Sequence, residues 1–297
     1  MSADSAGEPA ALPAALPADE PAGLVARILP SSAVDGPGNR AVIFLQGCDF
    51  DCRYCHNPET RAVCVQCGAC VGACPAGALA ARDGSVAWDA STCRDCGACL
   101  AACPHGSSPK TRRMRPGEVL AALERVRPFI RGVTVSGGEC GLQAAFLEAL
   151  LRRCREAGLG GLVDTNGSTD FAALGGLVEA AEGFMLDVKA WDEAEHRALV
   201  GAGNAAVKAN LRFLSAAGKL HEVRTVVVAG RFDAALTVRE VSRVIAASPR
   251  ACRYKLIRYR EAGVRARFRD LAAEDDATMA GLAELARSFG VRDVVVV

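Results

Sequence analysis

The chain has 297 residues, 51% of them hydrophobic, and its 35 basic and 34 acidic residues give a formal net charge of +1. This balance offers no basis for binding nucleic acid or an anionic membrane surface. No run approaches the roughly eighteen apolar residues that a transmembrane helix needs. The length and apolar content suit one large α/β domain or two smaller ones.

The N-terminal segment and the cysteines both bear on the compartment. The first 23 residues are rich in Ala and Pro and contain neither Lys nor Arg, unlike the basic start of a signal peptide. We therefore expect residues 1–23 to be a disordered leader and residues 24–297 to form the folded core. The chain has 14 cysteines, most of them closely spaced. That spacing indicates thiolate ligands in a reducing cytoplasm rather than the disulfides of an exported protein.

Two strands are predicted near the start of the core, at 24–29 and 41–46, with a Gly- and Pro-rich turn between them. The second strand leads into three cysteines spaced C-x3-C-x2-C, namely Cys48, Cys52 and Cys55. A [4Fe-4S] cubane normally takes four cysteines, so three leave one iron open to a small-molecule ligand. A zinc knuckle or unrelated core cysteines are the alternatives. The preceding strand and the aromatic Tyr54 favour the open-iron cluster.

Residues 58–108 are predicted to be an insertion, because Cys, Gly, Ala and Pro dominate there. The pattern C-x2-C-x2-C-x3-C-P occurs twice, starting at Cys64 and at Cys93. Zinc sites are the alternative, but they favour C-x2-C pairs separated by a longer spacer. In bacterial ferredoxins the fourth cysteine of each run binds the other cluster. We therefore predict two closed clusters, one on Cys64, Cys67, Cys70 and Cys103 and the other on Cys93, Cys96, Cys99 and Cys74.

Helical and strand patterns alternate after the insertion, which indicates parallel strands joined by crossover helices. Together with 41–46, five further strands are predicted at 133–136, 161–165, 184–188, 222–228 and 253–259. The predicted helices are 116–127, 142–157, 171–181, 204–217 and 236–246. A closing helix is expected at 275–289 and a last edge strand at 294–297.

Polar motifs follow the predicted strands, where the loops of a parallel α/β barrel converge on the active site. They are Gly137-Gly138-Glu139, Asp164-Thr165-Asn166-Gly167 and Met185-Leu186-Asp187-Val188-Lys189. Each could instead be a helix cap or a solvated turn, and Arg224 could be a surface residue. Their shared position at strand ends favours a single site.

With these motifs the chain resembles the radical S-adenosylmethionine (SAM) enzymes. The flanking segments 34–40 (VDGPGNR) and 55–58 (CHNP) resemble the activating enzymes of glycyl radical enzymes, of the pyruvate formate-lyase activating type, and among them the YjjW branch. The resemblance runs from about residue 28 to residue 230. It implies an α/β fold: a partial (β/α)6 radical SAM barrel with an inserted bacterial-ferredoxin-like two-cluster module.

The resemblance also implies an activity. SAM would be cleaved reductively to a 5′-deoxyadenosyl radical, which abstracts a Cα hydrogen from a glycine of a partner protein, a glycyl radical enzyme. Flavodoxin or ferredoxin would supply the electron. The alternatives are a radical SAM enzyme that acts on a small molecule and a ferredoxin-type electron-transfer protein.

Roles for individual residues follow from the same resemblance. Cys48, Cys52 and Cys55 would hold the catalytic cluster. The implied SAM contacts are Tyr54, Cys55, His56, Gly137, Gly138, Glu139, Asp187, Val188, Lys189, Arg224 and Arg260. Relatives have His where Arg260 stands, and Arg has no acceptor, so this match is not like for like. A monovalent cation would lie at Asp164, Thr165, Met185 and Asp187.

Overall fold

The computed structural model describes residues 20–297, so the predicted leader lies outside the described residues except for its last four positions. Gly23, the last predicted leader residue, is already the first residue of a strand. Just before it, Glu20 pairs with Arg153 at 2.9 Å. The folded core therefore begins a few residues earlier than predicted.

Eleven strands lie within residues 20–297. They are β1 (Gly23–Ser32), β2 (Arg40–Leu45), β3 (Leu79–Arg82), β4 (Ser85–Trp88), β5 (Arg112–Met114), β6 (Gly132–Gly137), β7 (Gly160–Thr165), β8 (Gly183–Asp187), β9 (Leu220–Val227), β10 (Arg253–Arg258) and β11 (Asp293–Val296). Nine of them form one sheet in the order β11-β10-β9-β8-β7-β6-β2-β1-β5.

The six predicted parallel strands, β2 and β6 to β10, are neighbours in this sheet and are all parallel. β11 extends the array in parallel beside β10, which confirms the predicted edge strand. β1 and β5 close the other edge in antiparallel orientation. All six residues of β2 are buried, as expected for a strand covered on both faces. The partial-barrel α/β fold predicted from the sequence is confirmed.

Eight α-helices lie in the same part of the chain. They are α1 (Ala98–Ala101), α2 (Pro116–Leu123), α3 (Ala144–Glu156), α4 (Gly175–Ala180), α5 (Glu193–Val200), α6 (Ala205–Ala216), α7 (Ala234–Ala246) and α8 (Asp276–Ser288). Aspartate side chains accept hydrogen bonds from backbone N–H groups at the starts of α5, α7 and α8, which satisfies amides that have no intrahelical partner. None of the helices in residues 20–297 is long and apolar enough to cross a membrane.

Several element bounds differ from the predictions. The helix predicted at 171–181 is a 3₁₀ turn followed by α4, because Gly175 and Gly176 weaken the helical run. The helix predicted at 142–157 starts at Ala144, after a 3₁₀ turn. α5 was not predicted; it is a short helix that ends at Gly201, which adopts a left-handed conformation with φ of 79°.

The insertion contains a hairpin that was also not predicted, β3 paired with β4. The insertion has a buried apolar cluster of its own, separate from the main core, which consists of Cys70, Leu79, Val86 and Cys99. Half of this small cluster is cysteine. So small an apolar core cannot stabilise about fifty residues unaided, and such modules usually need a metal or disulfides.

Candidate active site

A cavity of about 270 Å³ opens at the C-terminal ends of the parallel strands. All six predicted strands contribute to it, through Phe44, Ser136, Gly137, Asp164, Thr165, Asp187, Arg224, Val226 and Ile257. Cys48, Cys52 and Cys55 line the same cavity, together with Tyr54, His56 and Gly138. The structure thus brings together most of the site residues predicted outside the insertion, because parallel strands end at the same edge of the sheet.

The loop from Cys48 to Cys55, here called the cysteine loop, is held by backbone hydrogen bonds from two sides. Cys48 N–H donates to the carbonyl of Arg61 at 2.8 Å. Asp51 N–H and Arg53 N–H donate to the carbonyls of Val200 and Leu199 at the end of α5, at 2.8 and 2.9 Å. These bonds set the path of the loop independently of any bound group.

The three thiols of the cysteine loop are buried to different extents. Burial raises the pKa of Cys48 to about 12 and that of Cys52 to about 11. The Lys189 ammonium opposes the rise at Cys52 and at Cys55. Thiols with such high pKa values stay protonated in the free protein, so binding iron would displace protons. Three thiols facing one cavity beside a cation are a donor set that fits an iron-sulfur cluster.

Paired glycines bring the end of β6 against the start of the cysteine loop. Gly138 N–H donates to Leu45 at 2.9 Å, and Glu139 N–H donates to Gly47 at 2.7 Å. A Cβ at Gly138 would lie 2.1 Å from the Gly47 carbonyl oxygen, and Gly137 has a φ of 118°. No residue with a side chain fits these two positions without moving the backbone.

Three ion pairs place charge at the cavity or beside it. Arg224 Nη1 lies 3.1 Å from Asp164 Oδ1 and its Nε 2.5 Å from Glu222 Oε1. Lys189 Nζ lies 2.8 Å from Asp187 Oδ2. Burial raises the pKa of Asp164, and the Arg224 guanidinium opposes that rise. Both acids predicted to bind a monovalent cation thus already face a fixed positive charge.

Glu139, whose contact with SAM stays a prediction, is fully buried and is not among the residues that line the cavity. Its oxygens accept from the Gly141 N–H at 2.8 Å, the Thr165 hydroxyl at 2.8 Å and the Asn166 N–H at 2.7 Å. Burial raises its pKa to about 7, which these bonds oppose. Glu139 therefore ties the end of β6 to the end of β7 and positions other lining residues.

Three further predicted site residues do not line the cavity, and their roles stay predictions. Val188 is buried away from the cavity. Met185 is also buried, and its Sδ accepts from Arg224 Nη2 at 3.1 Å. The side chain of Arg260 is exposed, and the residue reaches the site only through its carbonyl, 2.9 Å from His56 Nε2.

Two residues that belong to the site were given no individual role in the sequence analysis. Asn166 Nδ2 donates to Asp49 Oδ1 at 3.1 Å and lies 3.7 Å from Cys48 Sγ. Its place directly after Asp164-Thr165 at a strand end was the available signal. The other is Arg61, which lines the cavity and follows the cysteine loop by only six residues.

One small cavity in the insertion is lined by four of its eight cysteines, Cys74, Cys93, Cys96 and Cys99. Burial raises the pKa of Cys70, and the charges of Cys64, Cys99 and Cys103 raise it further. Cys70 thus lies near two members of its predicted set and also near Cys99 of the other set. The assignment of the eight cysteines to two crossed clusters stays a prediction.

The fourth cysteine of each run lies in a ring of hydrogen-bond donors. Burial opposes ionisation of Cys74, but backbone N–H groups from Ala76 to Leu79 outweigh it and lower the pKa. At Cys103 the Ser107 hydroxyl and nearby backbone N–H groups likewise outweigh burial and lower the pKa. Cys103 Sγ and Ser107 Oγ are 3.3 Å apart. Donors aimed at sulfur are what cluster thiolates use.

Within residues 20–297, no three His, Cys, Asp or Glu side chains converge closely enough to hold a single metal ion. Each thiolate of a cubane binds a different iron, so cluster ligands stand farther apart than the ligands of one ion. The cysteine sets are therefore judged by their common cavities and donors.

The sequence model of the radical SAM superfamily matches residues 42–236, more than half of the chain. The fold is similar to that of the solved structure of SuiB from Streptococcus suis bound to the precursor peptide SuiA. The TM-score is 0.57 at 13% identity, covering 86% of this chain and 48% of that one.

Relatives with named functions show to which group within this superfamily the chain belongs. The isethionate sulfite-lyase activating enzyme of Desulfovibrio desulfuricans is 31% identical over 263 residues, which cover 81% of this chain and 84% of that enzyme. The pyruvate formate-lyase-activating enzyme of Streptococcus mutans is 27% identical over 251 residues, 81% of this chain and 79% of that enzyme. With its fold and site, the chain belongs to the radical SAM superfamily and, within it, to the glycyl radical enzyme activating enzymes.

Proposed function

We propose that the activating reaction of this chain takes place in the cavity at the C-terminal edge of the sheet. A catalytic [4Fe-4S] cluster would be held there by Cys48, Cys52 and Cys55. The observation that carries the proposal is that the three thiols of the cysteine loop line the same cavity as three acids and three cations, namely Asp35, Asp164, Asp187, Arg61, Lys189 and Arg224. When bound, the cluster and SAM supply the chemistry: one electron breaks the C5′–S bond and yields methionine and the 5′-deoxyadenosyl radical.

The residues of the chain would orient SAM through its two charged groups. The α-ammonium needs anionic acceptors, which Asp164 and Asp187 offer, and the carboxylate needs a cation, for which Arg224 and Lys189 are placed. Because these groups already sit in ion pairs, they are fixed before the ligand arrives and lose little freedom on binding. A monovalent cation at Asp164, Thr165, Met185 and Asp187 stays a prediction.

Residues on the cluster side of the cavity would shield the reaction from water. Tyr54 is 3% exposed, and Lys189 Nζ lies 5.6 Å from its ring centroid. Phe50 is also buried and packs edge-on against His196, with ring centroids 5.5 Å apart. Excluding water protects a reactive carbon radical until it meets the target glycine.

The insertion at 58–108 would carry two further [4Fe-4S] clusters, one on each crossed cysteine set. All four ligand positions of each set are filled by cysteine, so neither cluster has an iron open to substrate. Their proposed task is to pass an electron inward from flavodoxin or ferredoxin in a reducing cytoplasm. The small apolar core of the module supports bound clusters, since they would supply cross-links that the core lacks.

Replacing Cys67 by Ala tests the relay. Cys67 is exposed and belongs to the proposed set with Cys64, Cys70 and Cys103. With a protein donor, we expect SAM cleavage to fall about tenfold, equivalent to about 1.4 kcal/mol in the effective barrier. With dithionite, which reaches the catalytic cluster unaided, most of the activity should remain. The measurement is 5′-deoxyadenosine formed per occupied catalytic cluster.

Cys154→Ala serves as the matched control, because this buried cysteine lies on α3 and belongs to neither set. It should leave both activities close to the wild type. An equal loss with both donors in the Cys67 variant would contradict the relay and leave a structural role for the module.

The partner reaction is tested by electron paramagnetic resonance (EPR). Mixed anaerobically with SAM, a reductant and its cognate glycyl radical enzyme, this chain should generate a carbon-centred doublet on the partner. The signal arises because the 5′-deoxyadenosyl radical removes a Cα hydrogen and leaves the unpaired electron on glycine.

The control is a partner in which the target glycine is replaced by alanine, which should give no doublet. Absence of the doublet with every cognate candidate, together with turnover of a small molecule, would contradict the protein-activating role and favour small-molecule chemistry.

A further inference from the structure

The segment Arg260–Asp270, between β10 and α8, crosses the cysteine loop; we call it the strap. It lies outside the matched superfamily region, which ends at residue 236. The Arg260 carbonyl meets His56, and a Cβ at Gly263 would lie 2.9 Å from the His56 carbonyl oxygen. At the end of the strap, Asp270 pairs with Arg53 at 3.4 Å. The strap is thus packed against the cysteine loop along much of its length.

Arg265 makes the strongest contact between the strap and the cysteine loop. Its Nη2 donates to the carbonyl of Cys52 at 2.8 Å, and its Nη1 lies 2.5 Å from Asp51 Oδ1. Its guanidinium carbon lies 4.7 Å from the centroid of the Phe268 ring. The side chain is 17% exposed, so solvent screens these contacts only slightly. The guanidinium is therefore fixed over the backbone between two of the three cysteines.

Asp51 does not cancel the positive charge of the guanidinium groups around it. It is shared by Arg265, by Arg61 at 3.4 Å and by Arg267 at 3.3 Å. This group of one carboxylate and three guanidinium groups therefore carries an excess of positive charge beside the cysteine loop.

We propose that Arg265 is a positioning residue for the cysteine loop, and that its charge favours the one-electron-reduced state of the cluster assigned to Cys48, Cys52 and Cys55. The inference rests on the proposed function. In this step a one-electron reductant, such as a reduced flavodoxin or ferredoxin, is oxidised by one electron. The cluster becomes more negative by one charge, and no bond is made or broken. A fixed cation stabilises the more negative state and therefore raises the reduction potential.

The test compares the wild type with Arg265→Gln, Arg265→Lys and Arg267→Gln, all full-length and reconstituted anaerobically. Arg267→Gln is the matched control: it lies on the same strap and pairs with the same Asp51, but its side chain is 61% exposed and bonds no backbone of the cysteine loop. Iron content reports loading. An EPR-monitored redox titration follows the signal that changes when SAM is added, because only a cluster with an open iron can bind SAM.

We expect Arg265→Gln to lower the ratio of reduced to oxidised cluster at a given potential about tenfold, equivalent to about 59 mV for one electron. Arg265→Lys keeps the charge and should shift the potential less. Arg267→Gln should shift the potential far less, because solvent screens the charge of this exposed side chain. Such a graded shift would not follow from a merely structural role.

An unchanged potential in Arg265→Gln, or an equal shift in Arg267→Gln, overturns the inference. If Arg265→Gln fails to load the SAM-responsive cluster, the Arg265→Lys variant is the deciding test. A change of less than tenfold in its ratio of reduced to oxidised cluster supports the role of charge. A full tenfold change, despite the retained charge, overturns that role. A wild-type protein without any SAM-responsive signal would overturn the proposed function instead, whatever the variants do.

Discussion

Replacing Cys52 by Ala is expected to abolish formation of 5′-deoxyadenosine from SAM. Cys52 is 9% exposed and lies between Cys48 and Cys55 on the wall of the cavity. Two thiolates cannot hold a cubane while presenting one iron to SAM, so the whole cluster should be lost. Iron content should fall from about twelve to about eight atoms per chain, because the two clusters proposed for the insertion would remain. Iron analysis and chromatography of the reaction products measure both effects.

Cys252→Ala provides the control for this variant. Cys252 is equally well buried, but it precedes β10 and therefore lies at the opposite end of the sheet from the cavity. It should retain about twelve irons and cleave SAM like the wild type. SAM cleavage at the wild-type rate in Cys52→Ala would contradict the assignment of the catalytic cluster.

Arg224→Met should have the second-largest effect, on both stability and SAM binding. The Arg224 side chain is 12% exposed and neutralises Asp164 and Glu222, whose side chains are 14% and 2% exposed. Removing one partner of a buried ion pair leaves the other charge uncompensated, which destabilises a protein by roughly 3 kcal/mol. The cavity also loses a cation proposed to face the SAM carboxylate, so the affinity for SAM should fall at least about tenfold, equivalent to about 1.4 kcal/mol.

Arg155→Met is a suitable control, because Arg155 is exposed in the last turn of α3, away from the C-terminal strand ends that line the cavity. Urea unfolding gives the change in the free energy of unfolding, and equilibrium binding under anaerobic conditions gives the affinity for SAM. The two readouts separate a folding defect from a binding defect. A folded Arg224→Met protein that binds SAM like the wild type would show that Arg224 is structural only.

The parallel core was predictable because burial leaves a direct trace in the chain. A strand covered on both faces reads as a continuous apolar run, and β2 is buried at every position. The helix predictions failed where glycines or a short length decided whether a helix forms. Adjacent glycines reduced the predicted helix at 171–181 to α4, and the eight-residue α5 is too short for a clear helical period.

The orientation of polar side chains could not be predicted from motifs alone. Glu139 belongs to the predicted glycine motif, yet its carboxylate bonds to the end of β7. Which groups the Glu139 carboxylate bonds depends on the register of β6 against β7, because that register places Thr165 and Asn166 within its reach. Arg260 shows the reverse case, since its exposed side chain leaves only a carbonyl to meet His56.

The sequence by itself determined the spacing of the cysteines that are predicted to bind iron, and the succession of the parallel strands along the chain. The reason is that cluster ligands lie a few residues apart, and apolar runs are a local property. Only the tertiary structure decided which groups surround the cysteine loop. Arg265 meets the Cys52 carbonyl across 213 residues of sequence, and Arg224 meets Asp164 across 60. Such contacts exist only after the sheet has closed and packed, because no local spacing encodes the distance between residues so far apart in the chain.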